Sequence, residues 1–226
     1  MQPSDVSAWR DRYRAEQIPP GYSGPRHAAW LAIFIITGIA IGVWQLKAVQ
    51  PLEWLAVPVT FLYANLAEYL GHRFVMHRRR PGLGLIHERH TLQHHRFFMP
   101  GAMSFDSSRD WKAVLFPPLL VAFFFVTFAL PVALLVGWLW SPNVAWLFLI
   151  TALVYYASYE ILHFAWHLPE SAWWLRLPEM RRLRQLHLDH HDPSYMSQGN
   201  FNITWPICDW LFGTRLKPGT DRRPLR

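Results

Sequence analysis

The chain has 226 residues, the size of one large domain, and 52% of them are apolar, including 13 Trp and 15 Phe. This apolar content exceeds that of ordinary soluble domains. The single cysteine, Cys208, excludes a disulfide framework, a thiolate zinc site and an iron–sulfur cluster, so histidine and carboxylate must supply any metal ligands. The net charge of +7 could suit a nucleic-acid-binding protein, but the basic runs lie beside apolar segments. Anionic lipid headgroups are therefore the expected partner, and nucleic acid is not.

Four apolar stretches are long enough to cross a bilayer, which takes about 20 helical residues. A polar N-terminal arm, residues 1–27, precedes them and has no features of a secretory signal peptide. The third stretch is over-long and contains Pro117, Pro118 and Pro131, which predicts a kink, a tilt or a break. The predicted spans are residues 28–46, 51–70, 112–140 and 144–162.

Two short loops, residues 47–50 and 141–143, join these spans into two helical hairpins. Of the 22 Lys and Arg residues, only Lys47 lies in either loop. The positive-inside rule therefore predicts that Met1, Arg226 and the segments 71–111 and 163–215 are cytoplasmic. The expected fold is all-α: a four-span transmembrane helix bundle with a cytoplasmic helical cap, in which residues 28–226 form a single membrane-embedded domain.

Eleven of the twelve histidines fall into four clusters in the predicted cytoplasmic cap. The clusters are His72 and His77; His87, His90, His94 and His95; His163 and His167; and His187, His190 and His191. Residues three, four or seven apart share one face of an α-helix, so three of the clusters are predicted to present their side chains together. His72 and His77 are five apart, which predicts a helix end where the chain turns. The isolated His27 is assigned an ordinary structural role.

The cap is also predicted to be helical. Residues 83–96 form a helix after the Pro81-Gly82 turn, and residues 171–191 form one or two amphipathic helices broken near Pro178. Trp173 and its apolar neighbours in that segment could face either lipid or protein. The tail, residues 198–214, is expected to pack over the histidines as an irregular cap.

So many histidines imply more than one metal ion, because a closed structural zinc site needs only four ligands. Imidazole alone does not select between zinc, iron, copper and nickel. A site beside a membrane helix bundle favours an aliphatic substrate, whose C–H bonds require a redox metal and oxygen. Glu68, Glu160 and Asp189 lie next to the clusters; they could accept the free N–H of ligand imidazoles or pair with arginines at the membrane edge.

These clusters resemble the histidine boxes of the fatty acid hydroxylase/sterol desaturase superfamily of integral-membrane diiron enzymes. The NFNITWPICDWLFGT segment, residues 200–214, is similar to the one that closes the domain in many members. The resemblance covers residues 55–215. The second box has three residues before its doublet, so either His87 or His90 could be its ligand. The matching boxes are His72-x4-His77, His90-x3-His94-His95, His163-x3-His167 and His187-x2-His190-His191.

The resemblance implies a membrane-bound non-haem diiron oxygenase that uses O2 to hydroxylate or desaturate a fatty acyl chain or a sterol. Its cofactors would be two iron ions, which zinc could replace in the isolated protein, and the eleven clustered histidines would hold them. Electrons would come from an external donor: a cytochrome b5-like protein, a ferredoxin or a reductase. The expected location is the bacterial inner membrane, or the endoplasmic reticulum membrane of a eukaryote, with the site on the cytoplasmic face.

Two other function classes fit parts of the sequence. A zinc-dependent membrane hydrolase would need fewer histidines and would be expected to carry an HExxH motif, which this sequence lacks. A metal transporter would place its ligands inside the spans near the midplane, whereas these histidines lie beyond the predicted span ends. Iron content and oxygen dependence would separate the oxygenase from the hydrolase.

Overall fold

A computed structural model describes residues 3–216, which form ten α-helices joined by 3₁₀ turns, π turns and loops. Within these residues the only strand-like pairing is a bridge between Met99 and Ala102. Met1 and Arg226, both predicted to be cytoplasmic, lie outside the described residues. The helices are α1 (Pro3–Gln17), α2 (Gly24–Gln45), α3 (Ala56–Gly71), α4 (Gly84–His87), α5 (His95–Phe97), α6 (Pro118–Phe124), α7 (Leu130–Leu139), α8 (Pro142–Trp166), α9 (Pro178–His190) and α10 (Ile207–Leu211).

The predictions that residues 83–96 and 171–191 are helical are confirmed. Residues 83–96 form α4, a π-helical segment and the start of α5. The 171–191 segment is broken at Pro178, which begins α9 because proline is tolerated in the first helical turn. The 3₁₀ turns are Pro51–Leu55, Ser108–Ala113 and Trp173–Arg176, and the π-helical segments are His72–Met76, Glu88–His94 and Phe125–Ala129.

Three helical stretches are long and apolar enough to cross a membrane: Gly24–Gln45, Ser108–Leu139 and Pro142–Trp166. The second of these contains the predicted irregularity, since the π-helical segment Phe125–Ala129 separates α6 from α7 just before Pro131. The remaining predicted span, residues 51–70, is divided between a 3₁₀ turn and α3. With 16 residues α3 is about 24 Å long, shorter than a hydrocarbon core of about 30 Å.

The chain divides into two compact units. The first comprises Met1–Gly24, Ala67–Val114 and Leu162–Arg226, and it contains all eleven clustered histidines. The second comprises Pro25–Leu66 and Leu115–Ile161, which include most of the apolar stretches.

In the second unit, α2 packs against α8 through two glycines four residues apart. A Cβ atom on Gly38 would lie 2.7 Å from Cδ1 of Leu153, and one on Gly42 would lie 2.6 Å from Cγ1 of Ile150. Small residues at this spacing let two helix backbones approach closely, which is a common way of packing helices inside a membrane.

Large apolar side chains cover the outward surface of this unit. Ile33 and Ile36 of α2 are each 65% exposed, and Trp138 of α7 is 81% exposed. Apolar side chains are costly in water when they form a continuous patch, but a lipid bilayer solvates them. With the three long apolar stretches, this surface makes the chain a membrane protein.

Candidate metal centre

Five histidines of the first unit bring one ring nitrogen each to a common point. These nitrogens all lie within 4.8 Å of one another, and all five side chains are buried. Nε2 of His72 is 2.8 Å from Nε2 of His90, and Nε2 of His77 is 3.0 Å from Nε2 of His190. We call this set the first histidine group: His72, His77, His90, His95 and His190.

Two π-helical segments create the first histidine group. In a π turn the hydrogen bond joins residues five apart, so those residues come onto one face. The amide of His77 donates to the carbonyl of His72 at 3.1 Å, and the amide of His95 donates to the carbonyl of His90. The α-helical spacing predicted that His90 shares a face with His94; the π turn places it with His95 instead. The five-residue separation of His72 and His77 likewise reflects a π turn.

Four more histidines form the second histidine group: His94, His163, His167 and His187. Nε2 of His163 is 3.1 Å from Nε2 of His94, and Nε2 of His187 is 3.0 Å from Nε2 of His167. His163 lies in the last turn of α8 and His167 directly follows the helix, so the two share a group as their spacing predicted, and all four side chains are buried.

The histidines at the end of α9 are divided between the two groups. His187 belongs to the second group and His190 to the first, although their spacing predicted one shared face. His191 contacts both groups: its Nε2 is 3.1 Å from Nε2 of His94, and its ring stacks on that of His95 at 4.2 Å. The end of α9 is therefore where the two groups meet.

His87 and His27 have other partners. Nδ1 of His87 bonds to the carbonyl of Met76 at 2.8 Å, and His87 belongs to neither group. The structure thus brings His90, and not His87, together with the other box histidines. His27 lies in the second unit, where its Nε2 bonds to the carbonyl of Phe116 at 2.9 Å.

Main-chain carbonyls also fix the orientation of five other clustered imidazoles. A carbonyl oxygen can only accept a hydrogen bond, so Nδ1 carries the hydrogen in each of these rings, and Nε2 of the neutral ring presents a lone pair. The bonds join Nδ1 of His72 to Phe201 at 2.5 Å, His94 to Ala113 at 2.8 Å, His167 to Met103 at 2.9 Å, His190 to Gly199 at 2.9 Å and His191 to Phe98 at 2.7 Å.

This orientation brings lone pairs face to face. His94 and His191 both donate through Nδ1 to carbonyls, yet their Nε2 atoms are 3.1 Å apart. Two neutral acceptors at that distance repel each other unless a cation or a proton lies between them. The donor set, made of buried imidazoles with Nε2 turned inward, therefore fits transition-metal ions.

Burial also keeps the imidazoles in the form that binds metals. It lowers the pKa of His94 to about 3 and that of His190 to about 4. Burial lowers the pKa of His72, His77 and His95 well below the usual value for histidine. A metal ligand must be the neutral ring, so these side chains are ready to bind at neutral pH without losing a proton.

Comparisons with known proteins agree with this geometry. The sequence profile described as Fatty acid hydroxylase matches residues 57–214, well over half of the chain. The chain belongs to the fatty acid hydroxylase family. A solved structure described as full-length Scs7p, with only the hydroxylase domain visible, is 26% identical and superposes with a TM-score of 0.58. That alignment covers 88% of this chain and 67% of the other. A comparison with curated proteins finds no match.

Membership of this family makes the chain a hydroxylase, and its two histidine groups are compatible with a metal cofactor. The family match begins at residue 57, so α1 and α2 precede it. The histidine-box resemblance found in the sequence is confirmed at the level of the family.

In this hydroxylase, Glu68 supports an imidazole through the main chain. It accepts hydrogen bonds from the amides of Ile203 and Thr204, at 2.5 and 3.2 Å, and from the Thr204 hydroxyl at 2.8 Å. These residues follow Phe201, whose carbonyl holds Nδ1 of His72. The tail therefore packs over the histidines as predicted, and Glu68 fastens it, but the tail is not irregular throughout, because Ile207–Leu211 form α10.

The other two carboxylates considered from the sequence bond to side chains that are not histidines. Glu160 lies in the second unit, where it accepts a hydrogen bond from the Tyr156 hydroxyl at 2.7 Å. Asp189 accepts one from the exposed side-chain amide of Gln185 at 2.9 Å.

Sequence reasoning missed Asp209, which is fully buried. Its carboxylate accepts hydrogen bonds from the amides of Phe201 and Asn202, at 3.0 and 2.7 Å, and from the Thr214 hydroxyl at 2.7 Å. The Phe201 peptide is thereby held at its amide while its carbonyl orients His72. A lone carboxylate within the apolar end of the tail was the one available sign of this role.

Proposed function

We propose that this chain is a multi-pass membrane enzyme that holds two iron ions and uses O2 to hydroxylate, or desaturate, an aliphatic lipid such as a fatty acyl chain or a sterol. Membership of the fatty acid hydroxylase family and the likeness to the Scs7p hydroxylase domain support the reaction class. The observation that carries the proposal is the pair of buried histidine groups whose Nε2 atoms converge.

The two histidine groups are the proposed metal ligands. The first group would hold one ion and the second group the other, with His191 at the boundary. We assign His90 rather than His87 to the second box, because only His90 joins a group. Bound iron supplies activation of dioxygen for attack on an aliphatic C–H bond, chemistry that zinc does not offer.

The protein's own contribution is orientation and the exclusion of water. Carbonyls of Phe201, Ala113 and Met103 hold ligand Nδ1 atoms and keep each Nε2 directed inward. Outer contacts of this kind raise the basicity of an imidazole and restrict its rotation. Burial of both groups keeps water from competing for the Nε2 lone pairs.

We further propose that four spans place the site on the cytoplasmic face of the bacterial inner membrane or of the endoplasmic reticulum. In support, the two short loops bond to each other: the amide of Lys47 donates to Oδ1 of Asn143 at 3.0 Å, and Nδ2 of Asn143 donates to the carbonyl of Lys47 at 2.8 Å. Glu53 accepts bonds from Ser141 and from Asn143, the latter at 2.9 Å. Both hairpins would then turn on the same side of the membrane.

The proposed partners follow from the same arrangement. The substrate is a membrane lipid, which the apolar surface of the second unit would contact directly. The exposed Arg78, Arg79 and Arg80 are suited to anionic lipid headgroups. Electrons come from a separate cytochrome b5-like protein, ferredoxin or reductase.

The test uses the purified full chain loaded either with ferrous iron or with zinc, together with a reductase system and membrane lipid. The iron form should contain two metal ions per chain and produce an oxidised lipid only when O2 is present. Hydroxylation should transfer label from ¹⁸O₂ to the product, whereas desaturation should consume O2 without transferring label. The zinc form should be inactive.

The test variant is His163→Ala, which removes one member of the second histidine group. The matched control is His27→Ala, because His27 belongs to neither group. The first should lower metal content to about one ion per chain and abolish turnover, and the second should change neither. Turnover that persists without O2, or in the zinc form, would contradict the oxygenase and favour a hydrolase.

A further inference from the structure

Helix α1 lies before the residues that the family profile matches, yet it packs inside the unit that contains the histidines. The ring of Tyr13 contacts that of Phe97 edge-on, with centroids 5.3 Å apart, and Trp9 approaches the same ring at 6.4 Å. Phe97 and Phe98 follow the second histidine box after one residue, Arg96. Helix α1 thus covers the loop that continues from that box.

Arg10 of α1 binds this loop through three main-chain carbonyls. Its side chain is buried, at 7% exposure. Nε donates to the carbonyl of Phe97 at 2.8 Å, and Nη2 donates to the carbonyls of Ala102 and Ser104, the latter at 3.1 Å. A guanidinium presents its donors in one rigid plane, so these three contacts fix the loop from residue 97 to residue 104.

The carbonyls next to these positions hold two of the clustered histidines. The Phe98 carbonyl accepts from Nδ1 of His191 at 2.7 Å, and the Met103 carbonyl accepts from Nδ1 of His167 at 2.9 Å. The Phe98 ring also packs on the His167 ring, with centroids 3.9 Å apart. Arg10 therefore holds the carbonyl before that of Phe98 and the carbonyls on both sides of that of Met103.

We propose that Arg10 is a positioning residue for the second histidine group. It acts through the 97–104 loop to hold His167, a member of that group, and His191, which lies at the boundary and contacts His94 of that group, so the inference rests on the proposed function. Without the guanidinium, the three carbonyls lose their donor, and the loop moves to reach water. Partners that orient metal ligands are typically worth about 10-fold to 100-fold in metal affinity. The tail, and not this loop, orients His72 and His190 of the first histidine group, so that group should keep its metal.

The test compares Arg10→Gln with Arg14→Gln in the full chain. Arg14 lies one turn along α1 and also fastens the helix, but it bonds to the carboxylates of Asp106 and Asp110 and not to the loop carbonyls. Each protein is loaded with ferrous iron under anaerobic conditions and challenged with a chelator. The iron release is then followed in time. The His163→Ala variant identifies the release phase that belongs to the first group.

In Arg10→Gln the release of the second-group iron should be about 10-fold faster or more, with release of the first-group iron unchanged. In Arg14→Gln both phases should match the unmodified chain, even if the melting temperature falls. Arg10→Lys retains the charge but not the planar fork, so it should accelerate the same phase; it also serves as the test if Arg10→Gln does not melt cooperatively.

Equal acceleration of both phases in the Arg10 variants, or release identical to that of the unmodified chain, would overturn the inference. The number of iron ions that the unmodified chain binds separates this outcome from failure of the proposed function. If it binds fewer than two iron ions at saturation, the two-metal site fails, and the role of Arg10 fails with it.

Discussion

At the scale of single residues, charged side chains support the metal centre without touching a metal ligand. Asp209 and Glu68 accept from main-chain amides of the tail, whose carbonyls hold His72 and His190. The guanidinium of Arg10 does the reverse, donating to carbonyls of the 97–104 loop. In both cases peptide groups satisfy the charge, which fixes the direction of the neighbouring carbonyl.

Asp209→Asn should weaken metal binding in the first histidine group. The amide has one acceptor oxygen where the carboxylate has two, and its NH2 would face a peptide N–H, so a buried donor is left unpaired at a cost of about 1–3 kcal/mol. We expect a lower melting temperature and about 10-fold faster chelator release of the first-group metal.

The control for this change is Glu179→Gln, which removes an exposed carboxylate paired with Arg182 in the first turn of α9. That variant should behave as the unmodified chain, since exposed ion pairs contribute little. Unaltered melting and metal release in Asp209→Asn would show that the tail does not orient His72.

At the scale of helices, π turns and glycines produce two arrangements that regular α-helices with larger side chains do not. These are a shared face for residues five apart and a close approach of two helix backbones. The π turns at His72–Met76 and Glu88–His94 bring residues five apart onto one face, and both contribute to the first histidine group. In the second unit, Gly38 and Gly42 let α2 approach α8 closely, because the Leu153 and Ile150 side chains occupy the space that a Cβ atom would need.

Gly42→Leu should destabilise the second unit. The added Cβ would lie 2.6 Å from Cγ1 of Ile150 and 3.7 Å from the Trp146 ring, so α2 must move away from α8. Overpacking of this kind costs about 1–3 kcal/mol. Thermal unfolding in detergent should therefore occur at a lower temperature.

Ala32→Leu adds the same side chain on an exposed position of α2 and should leave the unfolding temperature unchanged. Equal stability of the two variants would mean that the close approach at Gly42 is not needed for the fold.

At the scale of the whole molecule, the charge distribution predicts the orientation of the chain in the membrane. Lys47 is the one basic residue in the two short loops, and those loops bond to each other through Asn143. Moving many arginines across a membrane is unfavourable, so the arginine-rich segments are expected to stay on the cytoplasmic side.

Single-cysteine labelling with a membrane-impermeant maleimide should confirm this orientation. Cysteines at Arg80 and Arg176 should react from the cytoplasmic side, and a cysteine at Lys47 from the opposite side; all three positions are exposed. The native Cys208 is buried, which keeps background labelling low. Labelling of Arg80→Cys and Arg176→Cys from opposite sides would contradict the four-span topology.

The sequence alone determined the features that depend on local spacing and composition. The length of the apolar stretches predicted a membrane protein, and the helix breaks near Pro131 and Pro178 followed from the geometry of proline. The four clusters and the tail segment identified the family, because box spacing is a property of consecutive residues. The α-helical pairing of His163 with His167 was correct for the same reason.

The tertiary structure alone decided which histidines share a group. His77 meets His190 across 113 residues, and no local rule relates them. The π turns also changed the expected pairing of His90, since a single extra residue per turn rotates a side chain to another face. Every residue has a main-chain carbonyl, so the sequence does not indicate which carbonyls will accept a hydrogen bond from an imidazole. The role of Arg10 is hidden in the same way, because its three partners are peptide groups brought to it only by the fold.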